Sequence, residues 1–311
     1  MNVTALALWI LAAMALPAWL AWDPLLSYCT AAILLVVGVA IAIKRAPAQA
    51  DWVEKIVLCG PVFMAMPMAV FGTEHFLDPV SIGGMVPSWI PAHIFWAYFV
   101  GACLILGGLS IVVQIRAGLS AALFGIMMLL FDVLLHIPNA AADPRNRFPW
   151  VIVFREMTFG LGALSFAAMH TEEWRAKGRH WLISVARVCI GGALIFYAVE
   201  QLLHPEFFPA IPLQRLTPTS IPGHLLWSYV TGVLYVPAGV CLILNKRARL
   251  AATWIGVWVL FITVVVYGPI MVQNGDIGGG LNPITDTLMY SGALLCLAGS
   301  LREEAAAKEI V

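Results

Sequence analysis

Pro91-Ala-His93-Ile-Phe-Trp96-Ala-Tyr98 and Pro222-Gly-His224-Leu-Leu-Trp227-Ser-Tyr229 are one phrase written twice, 131 residues apart. The match continues outward in the same register. Gly101 falls on Gly232, Gly108 on Gly239, Arg116-Ala117 on Arg247-Ala248, Gly125 on Gly256 and Pro138 on Pro269. Upstream the register changes to 126, where Glu74 meets Glu200 and Pro79 meets Pro205, so the second copy carries five extra residues in the loop before the phrase. A repeat of this kind is one supersecondary unit used twice.

Each copy contains four apolar runs, and the chain around them is apolar throughout. Of 311 residues, 61% are hydrophobic and 11% charged, with a mean hydropathy of +0.91. A water-soluble domain of this length cannot cover so much apolar surface with its few polar groups, so lipid is the expected outer solvent. A spanning helix needs about 20 mainly apolar residues. Ten runs qualify: Ala5–Trp22, Leu25–Ile43, Lys55–Phe76, His93–Val113, Gly118–Ile137, Trp150–Met169, His180–Leu203, His224–Leu244, Ala248–Met271 and Pro283–Leu301. The fold expected is an all-α polytopic membrane protein with an N-terminal hairpin over 1–50, a first four-helix unit over 51–175 and a second over 176–311.

Basic residues test that list. Lys44, Arg45, Lys55, Arg116, Arg175, Lys177, Arg179, Lys246, Arg247, Arg249, Arg302 and Lys308 all fall at one side of a ten-span chain; Arg145, Arg147 and Arg215 fall at the other. The positive-inside rule then puts both termini in the cytoplasm, in a bacterial inner membrane. An even number of spans per copy makes the two copies parallel rather than inverted. The first run has no basic segment before it and a second run follows at once, so it reads as a retained helix and not a signal peptide.

Net charge is zero, which removes the electrostatic case for nucleic acid. The six cysteines, Cys29, Cys59, Cys103, Cys189, Cys241 and Cys296, form no C-x-x-C pair, which speaks against a thiolate metal site or a thiol oxidoreductase.

A Pro-rich outer loop, a Gly-rich second helix, an Arg-Ala turn and a third helix, present once per copy over residues 55–301, resemble the DoxX-like membrane proteins. The resemblance implies four-helix units and an association with quinone-linked oxidoreductases. The glutamate that many DoxX-like proteins carry early in the second helix has no counterpart in Phe99–Leu106 or Val230–Pro237, so no role passes to it.

Ionisable residues within apolar spans are costly and mark candidate sites. In the first copy they gather toward the non-cytoplasmic end: Glu74, His75, His93, Asp132, His136, Arg155 and Glu156. Asp132 and His136, four apart, share a helix face, where a carboxylate can fix an imidazole tautomer. Arg155 and Glu156 point about 100° apart, which predicts partners on different helices, Asp132 or Glu74 for Arg155. The second copy keeps Glu200 and His224 but replaces His75 by Gln201, Asp132 by Thr263, His136 by Tyr267, Arg155 by Asp286 and Glu156 by Thr287. The candidate catalytic set is therefore His93, Asp132, His136, Arg155 and Glu156; the candidate ligand-binding set is Glu74, His75, Trp96, Tyr98, Glu200 and His224. Trp96 and Tyr98 read either as interfacial aromatics or as a wall for a flat ligand. Haem and metal are the weaker readings, and the cofactor is left open with a quinone as the candidate. The function expected is a quinone-interacting or redox-associated subunit; a lipid or small-molecule transporter and an assembly subunit without its own site are the alternatives. The partners expected are the bilayer, a lipophilic small molecule and other membrane subunits.

Overall fold

The structure is a computed structural model; it describes residues 22–171, 173–174 and 180–309, with side chains from 25 to 302 within those ranges. The run Ala5–Trp22 lies outside the described residues except for Trp22, as do Arg175, Lys177 and Arg179. Nine of the described helices are long and apolar enough to cross a membrane. They are α1 (Trp22–Arg45), α2 (Trp52–Leu77), α3 (His93–Val113), α4 (Ala117–Ala142), α5 (Arg147–His170), α6 (Trp181–Leu203), α7 (His224–Ile243), α8 (Ala248–Asn274) and α9 (Ile277–Arg302). No strand occurs among the described residues. The outer faces carry exposed Ile33, Val36, Leu106, Leu123, Val133, Val233 and Val264, a surface suited to lipid. The chain is an all-α polytopic membrane protein.

Local structure follows the repeat. Ala92 and Gly223, Gln114 and Asn245, and Arg116 and Arg247 all take positive φ, between 53° and 68°, each pair at the 131-residue interval. Non-glycine residues in that region cost about 1 kcal/mol or more, so the turns are held by bonds around them. Trp96 donates its indole N–H to Pro91 O at 3.1 Å, and Trp227 to Pro222 O at 2.9 Å. Ile115 N–H reaches Ser110 O and Lys246 N–H reaches Cys241 O, both at 3.0 Å, the wide closing bond that ends a helix with a left-handed residue.

The third helix of each copy contains a π turn, Asp132–His136 in α4 and Thr263–Tyr267 in α8. Its cause is the proline that follows. Pro138 and Pro269 have no N–H and their rings crowd the preceding turn. The helix widens, and the N–H of Ile137 and Gly268 bond back five residues to Asp132 O and Thr263 O.

The two sets of four helices are joined through α5 and α9, the most enclosed of the spans. α2 packs on α9, α6 packs on α5, and α5 packs on α9. At the α5–α9 crossing, residues in equivalent positions of the two copies meet: Arg155 with Asp286, Phe159 with Tyr290 at 6.5 Å, and Gly162 with Ala293. That places a pseudo-two-fold axis between α5 and α9. A Cβ on Gly162 would sit 2.5 Å from Ala293 Cβ, so the helices approach as closely as a glycine permits.

Candidate functional site

Arg155 is the centre of the buried polar cluster. Its Nη2 and Nε donate to Glu156 Oε1 at 2.7 and 3.1 Å, and its Nη1 donates to Asp286 Oδ2 at 2.9 Å. This corrects the sequence-based expectation of Asp132 or Glu74 as the partner of Arg155, and of a partner on another helix for Glu156, whose Oε1 is taken by its own neighbour; Arg155 does reach another helix, at Asp286. A guanidinium has a long stem, and it folds back onto its neighbour while also reaching across the axis. Asp286 was legible only as the residue that replaces Arg155 in the second copy; the pseudo-symmetry turns that replacement into a contact.

Asp132 and His136 both lie within Coulombic reach of Arg155 and Glu156. Asp132 is buried and its Oδ1 has no hydrogen-bond partner, so the carboxylate does not hold the His136 ring. Glu74 Oε2 accepts from Asn282 Nδ2 at 3.2 Å, while its buried Oε1 is also unpartnered. His75 donates from Nδ1 to Phe71 O at 2.7 Å. The cluster thus gathers Asp132, Glu156 and Asp286 around one guanidinium, with His136 beside them and Glu74 next in line through Asp286 and Asn282. Carboxylates outnumber cations, and two carboxylate oxygens await donors.

The remaining candidates lie apart. Trp96 and Tyr98 are exposed on the outside of α3, with Tyr98 tilted on Phe76 at 5.4 Å. His93 and His224 start α3 and α7, directly after their left-handed residues. Glu200 pairs with Arg147 at 3.1 Å. In both copies the carboxylate near the end of the first helix is held by the start of the other copy's fourth helix: Glu74 by Asn282, Glu200 by Arg147. Asp78, just past α2, caps the short helix Pro79–Gly83; hydrogen bonds from the Ser81 side chain and backbone hold its carboxyl below the ordinary value. Among the described residues no three His, Cys, Asp or Glu side chains converge as a metal site.

The two copies differ most where the five extra residues are. The loop after α6 forms a narrow hairpin, with Phe208 N–H bonded to Arg215 O at 2.9 Å and Thr217 N–H to Glu206 O at 2.8 Å. Its tip, residues 208–212, turns inward and is buried. Tyr267 donates to Pro209 O at 2.6 Å, Tyr235 to Ala210 O at 3.0 Å and Ser228 to Phe207 O at 2.9 Å. Beneath this plug Tyr197, Gln201, Ile262, Val266, Tyr267 and Ile270 are 0–1% exposed. Their first-copy equivalents Phe71, His75, Phe131, Leu135 and His136 are part-exposed and Asn139 is exposed. These positions are more open in the first copy than in the second, where the second copy's own loop covers them. A repeat alignment finds the extra residues; it does not show that they point inward.

No protein-family model, curated protein or solved structure matches the chain.

Proposed function

We propose that the first unit binds a lipophilic small molecule of the hydroquinone class in the crevice lined by Phe71, His75, Phe131, Leu135 and His136, with its polar head toward Asp132 and Arg155. The observation that carries this reading is the buried Asp132 carboxylate with an unpartnered oxygen, set beside a part-open apolar wall that the second unit fills with loop 208–212. Unpartnered buried acceptors cost about 1–3 kcal/mol each, so a ligand that brings O–H donors is favoured at this position. A hydroquinone supplies a donor at either end of a flat apolar ring, and carboxylate and imidazole are groups that accept and pass on its protons. The DoxX-like resemblance of the repeat points to the same ligand class.

The basic residues at the ends of α1, α3, α7 and α9 support cytoplasmic termini in a bacterial inner membrane, with the crevice facing the other side. A through-pathway for transport has less support: Arg187, the charge within the opposite half, is tied to the carbonyls of Leu242 and Ile243 at the end of α7.

The test is a titration of purified protein in detergent with a short-chain ubiquinol and with the matching ubiquinone. Saturable ubiquinol binding is expected, at one per chain, weakened at least tenfold by Asp132→Asn. Binding that is non-saturable, or indifferent to Asp132→Asn and His136→Ala, overturns the reading.

A further inference from the structure

A second group of charges lies outside the crevice, where the start of α5 meets the end of α6. A cleft of about 190 Å³ opens there, lined among others by Arg145, Arg147, Phe148, Glu200, His204 and Phe207. Arg147 holds the walls together: its Nη1 lies 3.1 Å from Glu200 Oε1 and its Nη2 donates to His204 Nε2 at 2.8 Å. With Nε2 accepting, the His204 proton is on Nδ1, which faces Glu206 Oε1 at 3.4 Å. The cleft is therefore built on two sides of opposite sign.

One side favours an anion. Arg145 is exposed and makes no ion pair or hydrogen bond among the described residues. Arg147 is the first residue of α5, whose N-terminus is capped by the Asn146 side chain accepting from Phe148 N–H at 3.1 Å. Two guanidinium forks beside a helix N-terminus form a phosphate-oxygen environment. The other side favours a cation. Glu200 is buried, and its Oε1, though 3.1 Å from Arg147, lacks hydrogen-bond geometry to any donor among the described residues; Glu206 lies on the far side of His204, 3.4 Å from its Nδ1. The remaining wall is apolar, with Phe148 and Phe207, and the adjoining surface of α6 exposes Val199, Leu202 and Leu203.

We infer that this cleft binds a phosphate ester carrying a primary ammonium, the headgroup of a phosphoethanolamine lipid in the leaflet at this end of the helices. The phosphate lies against Arg145 and Arg147, the ammonium against Glu200 and Glu206, and the acyl chains along α6. A primary ammonium donates hydrogen bonds to the carboxylates; a quaternary ammonium cannot, and an uncharged glycerol headgroup brings no second cation to Glu200, whose one ion-pair partner among the described residues is Arg147.

The experiment is native mass spectrometry of delipidated protein titrated with short-chain phosphatidylethanolamine, phosphatidylcholine and phosphatidylglycerol, and with water-soluble phosphoethanolamine. Expected is one tightly held phosphatidylethanolamine, at least fivefold tighter than phosphatidylcholine or phosphatidylglycerol and far tighter than phosphoethanolamine. Arg145→Gln should weaken it at least fivefold with thermal stability unchanged, since Arg145 makes no ion pair or hydrogen bond among the described residues. Equal retention of the three lipids, a preference for phosphatidylglycerol or an unaffected Arg145→Gln overturns the proposal. Binding of phosphoethanolamine as tight as that of the lipid overturns the lipid as the source.

Discussion

Arg155→Met removes the single guanidinium from the axis and leaves Glu156 and Asp286 facing each other in a dry site. The magnitude follows from the geometry. Two carboxylates lie 2.7 and 2.9 Å from the guanidinium, and the three side chains are only 10–18% exposed. At an effective dielectric near 20, each attraction is worth about 5–6 kcal/mol before desolvation. Desolvation of all three groups offsets most of that, so the intact cluster is close to neutral relative to an apolar replacement. Breaking it is different, because the stranded carboxylates keep their desolvation cost and lose their partner; about 3–5 kcal/mol is expected for Arg155→Met. The triple change Arg155→Met, Glu156→Leu, Asp286→Leu should recover most of this loss. The assay is equilibrium unfolding in mixed micelles by steric trapping, for the single variants, the triple variant and the Arg155→Met/Asp286→Leu cycle. The reasoning is refuted if Arg155→Met costs under about 1 kcal/mol, or if the triple variant loses as much as the single costs summed.

Three further outcomes are expected. Gly162→Val places a Cβ 2.5 Å from Ala293 Cβ and should cost about 1–3 kcal/mol by overpacking; Gly192→Ala, with nothing within 4 Å of its Cβ, should be neutral or stabilising in the same unfolding assay. Tyr267→Phe removes the bond to Pro209 O, worth about 1 kcal/mol, and should accelerate protease cleavage within residues 204–223 while leaving ubiquinol binding in the first unit intact. Opening the second unit by replacing residues 208–212 with glycines should create a further apolar cavity, read as uptake of an environment-sensitive apolar dye beyond the wild-type level.

Much of the fold is readable from residues alone. The repeat Pro-x-His-x-x-Trp, the Arg-Ala turn and Pro138/Pro269 each dictate a local geometry, and each recurs in the structure at the same interval: the Trp N–H bond, the left-handed Arg and the π turn. These features depend on chain neighbours, which sequence records directly. The partners of Arg155 depend on how the copies dock. Self-alignment lays Arg155 over Asp286, which reads as a lost charge; two-fold docking of the copies instead makes equivalent residues touch wherever they lie on the axis. The inward path of 208–212 is hidden for the same reason. Phe208, Pro209 and Ile211 are loop residues by position, and their burial is decided by the space that Tyr235, Tyr267 and α8 leave for them. Among the candidate residues, the depth of Glu74, Asp132, His136, Arg155 and Glu156 along their spans is written in the sequence, but which of them touch is not; the outward position of Trp96 and Tyr98 is set by the rotation of α3.

Photo-cross-linking with a photoactivatable short-chain quinol, followed by peptide mapping, tests the difference between the units most directly. Labels confined to the end of α2 around Phe71–Phe76 and the π turn of α4 around Phe131–Asn139, and lost on Asp132→Asn, are what an open first unit and a loop-filled second unit require. Labels centred on residues 204–223 or 262–270, or equal in both units, contradict it.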